Sequence, residues 1–187
     1  MKHLNKILSR AAALGLLAVG LSAHAAVYIT GSVNFVGGAT LNGPLATATA
    51  FEEIFGPFGT GTDPVVISGT GSYATVPVGT AAAFTEFAFN ASGVNPLWTF
   101  TIDQTTYSFE ATSVVVKAQD SLFLNIEGTG IAYITGFEPT PGTWTITQTG
   151  TGPVFTFGSS MVIPEPSSAT LLVCLGSLVW FVRRRIA

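Results

Sequence analysis

The chain reads as all-β, a β-sandwich or jelly-roll-like domain held between two short apolar ends. Three observations predict this class. Between residues 26 and 162 the composition is Gly, Thr, Ser, Val and aromatics, a mixture of strand and turn formers. Apolar and polar residues alternate at period two. The cleanest case is Thr143 to Thr149, where Trp144 and Ile146 point one way and Thr143, Thr145, Thr147 and Thr149 the other. Turn signals recur at intervals of roughly ten residues, which predicts about nine or ten short strands. A parallel β-solenoid would need a strict short repeat, and none is present.

Taken in order, Val27 to Val36 reads as a first strand that ends at Gly37-Gly38. Asn42-Gly43-Pro44 is a turn. Ala46 to Phe55 is ambiguous: alternating Ala and Thr suit a strand, which is favoured, while Phe51 to Phe55 also fits one helical turn. Gly56 to Pro64 is a loop. Val65 to Val76 resumes as strand, interrupted by Gly69 and Gly71, and an interior glycine often marks a bulge. Thr80 to Asn90 places Phe87 and Phe89 on one face. Val94-Asn95-Pro96 is a turn, Leu97 to Ile102 a strand, and Asp103-Gln104 a tight connection. Thr106 to Lys117 follows, with Tyr107, Phe109 and Ala111 opposite Ser108 and Glu110. Ser121 to Glu127 carries Leu122, Leu124 and Ile126 on one side, and Gly128-Thr129-Gly130 turns the chain. After Ile131 to Phe137, the run Glu138-Pro139-Thr140-Pro141-Gly142 is a stiff corner, with Pro141-Gly142 suited to a type II turn. Val154 to Phe157 is the last strong strand. The expected core is Trp98, Tyr107, Phe109, Leu122, Leu124, Trp144, Phe155 and Phe157. Each such side chain, once buried, contributes about 1.5–3 kcal/mol.

The two ends are of another kind. Lys2, Lys6 and Arg10 precede the apolar stretch Ala11 to Leu21, and Ala23-His24-Ala25 has the small-x-small pattern of a signal peptidase site. Residues 1–25 are therefore expected to be a signal peptide, recognised at Ala23 and Ala25 and cut after Ala25, with Ala26 the alternative. A retained N-terminal helix is the competing reading, and the shortness of the apolar stretch weighs against it. At the other end, Ala169 to Val182 carries no charge. Its fourteen residues span about 21 Å as a helix, against a hydrocarbon core of about 30 Å. That is short for a lasting anchor, although mismatch costs are modest. Arg183, Arg184 and Arg185 follow, and basic residues beside a span stay in the cytoplasm. This places residues before Ser167 outside. Ahead of the span stand Pro164, Glu165 and Pro166. Each proline fixes φ and restricts its predecessor, so the tripeptide is stiff, extended and open to a protease.

Setting the ends aside leaves an unusual middle. It has one basic residue, Lys117, and nine acidic ones, a net charge of −8, with no Arg, His or Cys. Nucleic-acid binding is excluded for want of a basic face. Disulfides are impossible, so a hydrophobic core must hold the domain. Chemistry has few tools there: Glu52 and Glu53 are adjacent and point to opposite faces of a strand, whereas glycoside hydrolysis needs two carboxyls across a cleft. Sequence-distant pairs such as Glu86 and Glu110 stay open. Asp63 and Asp103 belong to loops without a D-x-D-x-D-G pattern, and read as solvated surface acids. No catalytic residue, metal site or cofactor is expected. The Thr rows read as ordinary polar strand faces, with glycan contact as the alternative, and Cys174 as apolar filler in the span.

The order Pro164-Glu165-Pro166, apolar span, Arg183-Arg184-Arg185 resembles the PEP-CTERM sorting signal. The resemblance covers residues 163–187 and implies processing by exosortase, a membrane-embedded cysteine protease-transpeptidase. An ordinary tail anchor behind a Pro-rich linker is the competing reading. A second resemblance covers Leu97 to Phe157. Its L-W-T-F-T, T-Y-S-F-E, F-L-N-I-E-G-T-G and G-F-E-P-T-P-G-T-W-T-I-T runs are similar to a domain often found ahead of such tails, which implies an extracellular β domain and no agreed activity. The expectation is thus a non-enzymatic protein exported across the inner membrane, anchored by its C-terminal helix and then released to the cell surface or matrix, with exopolysaccharide as a partner. The alternative is a carbohydrate-binding module. A solvent-facing Trp98 or Trp144 favours that alternative, and burial of both counts against it.

Overall fold

The computed structural model describes residues 27–149 together with the backbone of residues 155–161. The strands are β1 (Ser32–Leu41), β2 (Phe51–Phe55), β3 (Val65–Gly69), β4 (Ala83–Phe84), β5 (Val94–Ile102), β6 (Thr105–Ala111), β7 (Val115–Gln119), β8 (Phe123–Ile134), β9 (Thr140–Thr149) and β10 (Phe155–Met161). A 3₁₀ turn spans Gly71–Tyr73. The all-β class is therefore observed. The expected signal peptide and C-terminal helix lie outside the described residues.

The strands form one antiparallel sheet in the order β2-β1-β10-β9-β8-β6-β5-β4, with β3 on β1 and β7 on β8. The sheet curls over its own inner face. Phe35 of β1 meets Trp98 and Phe100 of β5 at ring-centroid distances of 5.2 and 6.1 Å, although β10, β9, β8 and β6 lie between them in the sheet. The two flanks are linked by the segment before β4. Val66 N donates to Thr80 O (2.9 Å) and Ala82 N to Pro64 O (2.8 Å), and β4 then pairs with β5. Trp98, Trp144, Tyr73, Phe35 and Phe109 are the largest fully buried side chains.

Alternation was legible where strands are regular. On β6, Tyr107, Phe109 and Ala111 are buried, and on β9, Trp144 and Ile146 are. Several expectations are corrected. β1 starts at Ser32 and runs through Gly37-Gly38, so that pair does not end it. The Val94-Asn95-Pro96 turn is instead the irregular start of β5, with a cis Asn95–Pro96 bond and a register shift before Trp98. The expected strand Thr106 to Lys117 is two strands, because the chain leaves β6 at Thr112 and resumes pairing on β8 from Val115. Pro141-Gly142 is not a turn but part of β9, paired with Ile131 and Gly130. The reversal falls earlier, around Gly136, which holds φ +88°.

Gly128-Thr129-Gly130 is also not a turn: β8 passes straight through it. The glycines are there for room. A Cβ on Gly128 would sit 2.5 Å from the Trp144 Nε1, and one on Gly130 would run into the Phe109 ring. Leu122 is 72% exposed and not core. Asp120 Oδ1 accepts the N–H groups of Leu122 (2.6 Å) and Phe123 (2.9 Å), a side-chain-closed turn that puts Leu122 at its tip. The side chains of Phe155 and Phe157 lie outside the described residues.

Candidate functional site

Residues of β9 that point away from the core meet equivalent positions on its neighbours. One cross-strand row runs Ser32, Ser160, Thr143, Thr129, and the next runs Asn34, Gly158, Thr145, Glu127, Val115. Gly158, between Asn34 and Thr145, leaves the middle of the second row low. The result is a trough of about 690 Å³ on the outer surface, lined by Ser32, Asn34, Ser113, Lys117, Thr143 and Thr145 among others. Its polar groups are held in place. Asn34 Nδ2 donates to Ser68 Oγ (2.8 Å), Thr129 N to Ser113 Oγ (2.9 Å), and Trp144 Nε1 to Thr129 O (3.2 Å).

The trough is close to neutral. Lys117 and Glu127 face each other at 3.8 Å with both side chains about half exposed (56% and 46%), and such a pair contributes little to stability. Ser, Thr and Asn offer both hydrogen-bond donors and acceptors, which suits a polyhydroxylated or peptide-like ligand better than a phosphate. Sequence reasoning found the Thr row of β9. It missed the trough, because one wall is β1, which reaches the β9 side of the sheet only through its long-range pairing with β10.

The carboxylates do not assemble into a metal-like cluster: among the described residues no group of three His, Cys, Asp or Glu side chains could hold an ion. Glu52 and Glu53 lie side by side on β2, the first exposed and the second half-buried. Asp63 is exposed in a loop and Asp103 is exposed at φ +53° in the β5–β6 turn. Glu86 is exposed before Phe87, and Glu110 accepts a hydrogen bond from Tyr133 Oη (3.2 Å). Partial burial and this carboxylate raise the Tyr133 phenol pKa. Trp98 and Trp144 are 0% and 2% exposed, so neither offers a stacking platform.

The residues expected to direct sorting, Ala23, Ala25, Pro164, Glu165, Pro166 and Arg183 to Arg185, lie outside the described residues. They remain a matter of sequence, and there the comparison with known families is decisive. The model of the PEP-CTERM protein-sorting motif matches residues 162–185. The chain is a PEP-CTERM domain-containing protein. Its motif implies exosortase-dependent sorting of an exported protein, with membrane-associated processing before arrival at the surface. No curated protein and no solved structure matches the chain, so the β domain acquires no activity by likeness. Among the described residues no helix is long and apolar enough to cross a membrane.

Proposed function

We propose that this PEP-CTERM protein is a non-enzymatic component of the cell surface or extracellular matrix, associated with exopolysaccharide. Residues 1–25 direct export and are removed by signal peptidase. Residues 26–162 form a jelly-roll-like head. Residues 163–187 hold the protein in the inner membrane until exosortase acts at Pro164-Glu165-Pro166. The observation that carries this reading is the sorting-motif match at residues 162–185 behind an all-β head. Replacing Pro164, Glu165 and Pro166 with alanine is expected to leave the protein in the inner-membrane fraction. Normal release of that variant, measured by fractionation, would refute the sorting role.

Carbohydrate binding is the second reading, and the outer trough favours it. Its row of hydroxyls and the Asn34 amide suits sugar hydroxyl groups, whereas burial of both tryptophans removes the aromatic platform such modules often use. A glycan array probed with the released protein separates the two readings. Binding that is lost in Thr143→Val/Thr145→Val supports the trough as a sugar site, and a blank array supports a purely structural role.

A further inference from the structure

Both ends of the domain leave it at one pole. At the front, Val27 O accepts the N–H of Glu138 (3.0 Å), Tyr28 bridges Glu138, and Ile29 N donates to Thr140 Oγ1 (2.9 Å). At the back, β10 lies between β1 and β9, with Ser160 opposite both Ser32 and Thr143 and Met161 opposite Gly142. The first turns of β9 thus receive both ends: Thr140 takes the front and Gly142 the back. Neighbouring strands lie about 4.8 Å apart, so the entering and leaving chains run side by side at that spacing where Ser32 faces Ser160. The 42–50 loop and the Asp120–Phe123 turn lie at the opposite pole, beyond Leu41 and Leu124.

The sequence places both processing signals beside this pole. Ala26 adjoins Val27, and only Val162 and Ile163 separate Met161 from Pro164. The uncharged span begins at Ala169, and a fully extended connection of that length reaches about 25 Å at most. We infer that the domain completes its fold, β10 included, while both ends are still held in the membrane, so that neither cut is needed for folding and exosortase meets its motif at the base of a folded domain. This rests on reading residues 1–25 and 163–187 as the two signals. The physical reason is loop closure. Ser32 and Ser160 come from opposite ends of the domain sequence, and bringing such ends together is an entropic cost of folding. Two membrane tethers confine the ends of the unfolded chain to one surface, which is where the fold wants them. A fold with ends at opposite poles would be opposed by the same tethers.

The test uses the full-length chain in the producing cell. Ala25→Leu and Ala26→Leu block the first cut, Pro164→Ala and Pro166→Ala the second, and Cys174→Ala removes the native thiol. Ser32→Cys and Ser160→Cys then report β1–β10 pairing, because antiparallel partners have Cα separations of about 4.5–5.5 Å, within disulfide reach. The crosslink is expected to form in the uncut chain with no loss relative to a cleavable chain carrying the same pair, and to be absent from the out-of-register pair Ser32→Cys with Thr156→Cys. Crosslinking only in the cleavable chain overturns the inference. The cysteine-free uncut chain gives a second readout that does not depend on the engineered pair. On spheroplasts it should yield the same protease-resistant core as the released protein, and digestion to small peptides overturns the inference. Chain length on a gel reports separately whether the signals were read: C-terminal shortening that persists despite Pro164→Ala and Pro166→Ala counts against the sorting reading instead.

Discussion

The segment Val94 to Thr149 and the segment Val27 to Gly93 carry similar residues and reach order by different routes. In the first, β5, β6, β8 and β9 form a meander in which each strand lies against the next in that series, with β7 as a spur on β8. Each strand rests one face on the core, so apolar and polar residues alternate along it. In the second, order comes from far away. β1 finds β10, β3 closes on Ala81, and Phe51 packs on Phe87 and Phe89 at 5.2 and 5.0 Å. Loops are fastened by side chains: Asn42 Oδ1 accepts from Thr49 N (2.8 Å) and Ala50 N (3.2 Å). A ladder between near neighbours leaves a periodic record in the sequence, and a long-range clasp does not.

The largest effect is expected where the two regions meet. Trp98 of β5 stacks on Phe100 and Phe109 and touches Phe35 of β1. Trp98→Ala should cost about 3–5 kcal/mol, much of the roughly 5–15 kcal/mol a domain has. Urea unfolding of the released protein should show one transition at lower denaturant. Two separate transitions would mean that the regions fold independently and that the shared core does not join them. Within the meander, Gly128→Ala forces a Cβ against the Trp144 indole and the Ser113 backbone, and overpacking of this kind costs about 1–3 kcal/mol. Gly43→Ala in the other region meets nothing within 4 Å and should change stability by less than about 0.5 kcal/mol.

These contrasts also explain what could be read from residues alone. The inward set Tyr107, Phe109, Trp144 and Ile146 was legible because period two fixes faces. Gly128 and Gly130 misled, since a glycine that makes room for an indole looks the same in sequence as one that turns. Pro141-Gly142 misled likewise: Pro141 is the second residue of β9, close to the strand start, where a missing N–H is tolerated without a turn. Leu122 kept the right parity and lost its place because Asp120 closes the turn one residue later. The trough was illegible because its far wall is β1. The sorting motif was legible, since its pattern lies in local order along the chain and not in packing.

Two smaller effects probe the clasped region. Asn42→Ala removes the acceptor of two backbone N–H groups and should cost about 1–2 kcal/mol, read as a lower urea midpoint. If it costs nothing, the side-chain clasp does not hold that loop. Tyr73 gives a change of the opposite sign. It follows the 3₁₀ start at Gly71, is fully buried beside Trp98 and Tyr107, and its hydroxyl has no hydrogen-bond partner among the described residues. Removing an unsatisfied buried hydroxyl relieves desolvation, so Tyr73→Phe should raise stability by about 1 kcal/mol. Burial first, and the neighbouring Tyr107 second, push the Tyr73 phenol well above its ordinary range. The unfolded chain therefore releases this proton above about pH 10 while the folded chain keeps it. With fewer protons on the unfolded state, stability must fall as pH rises, by about 1.4 kcal/mol per pH unit from this group. Melts of wild type and Tyr73→Phe between neutral and strongly alkaline pH should diverge above that point, the variant losing less. Parallel curves would show that the phenol is hydrated in the folded protein, and that the clasped half is looser around it than the meander is around Trp98.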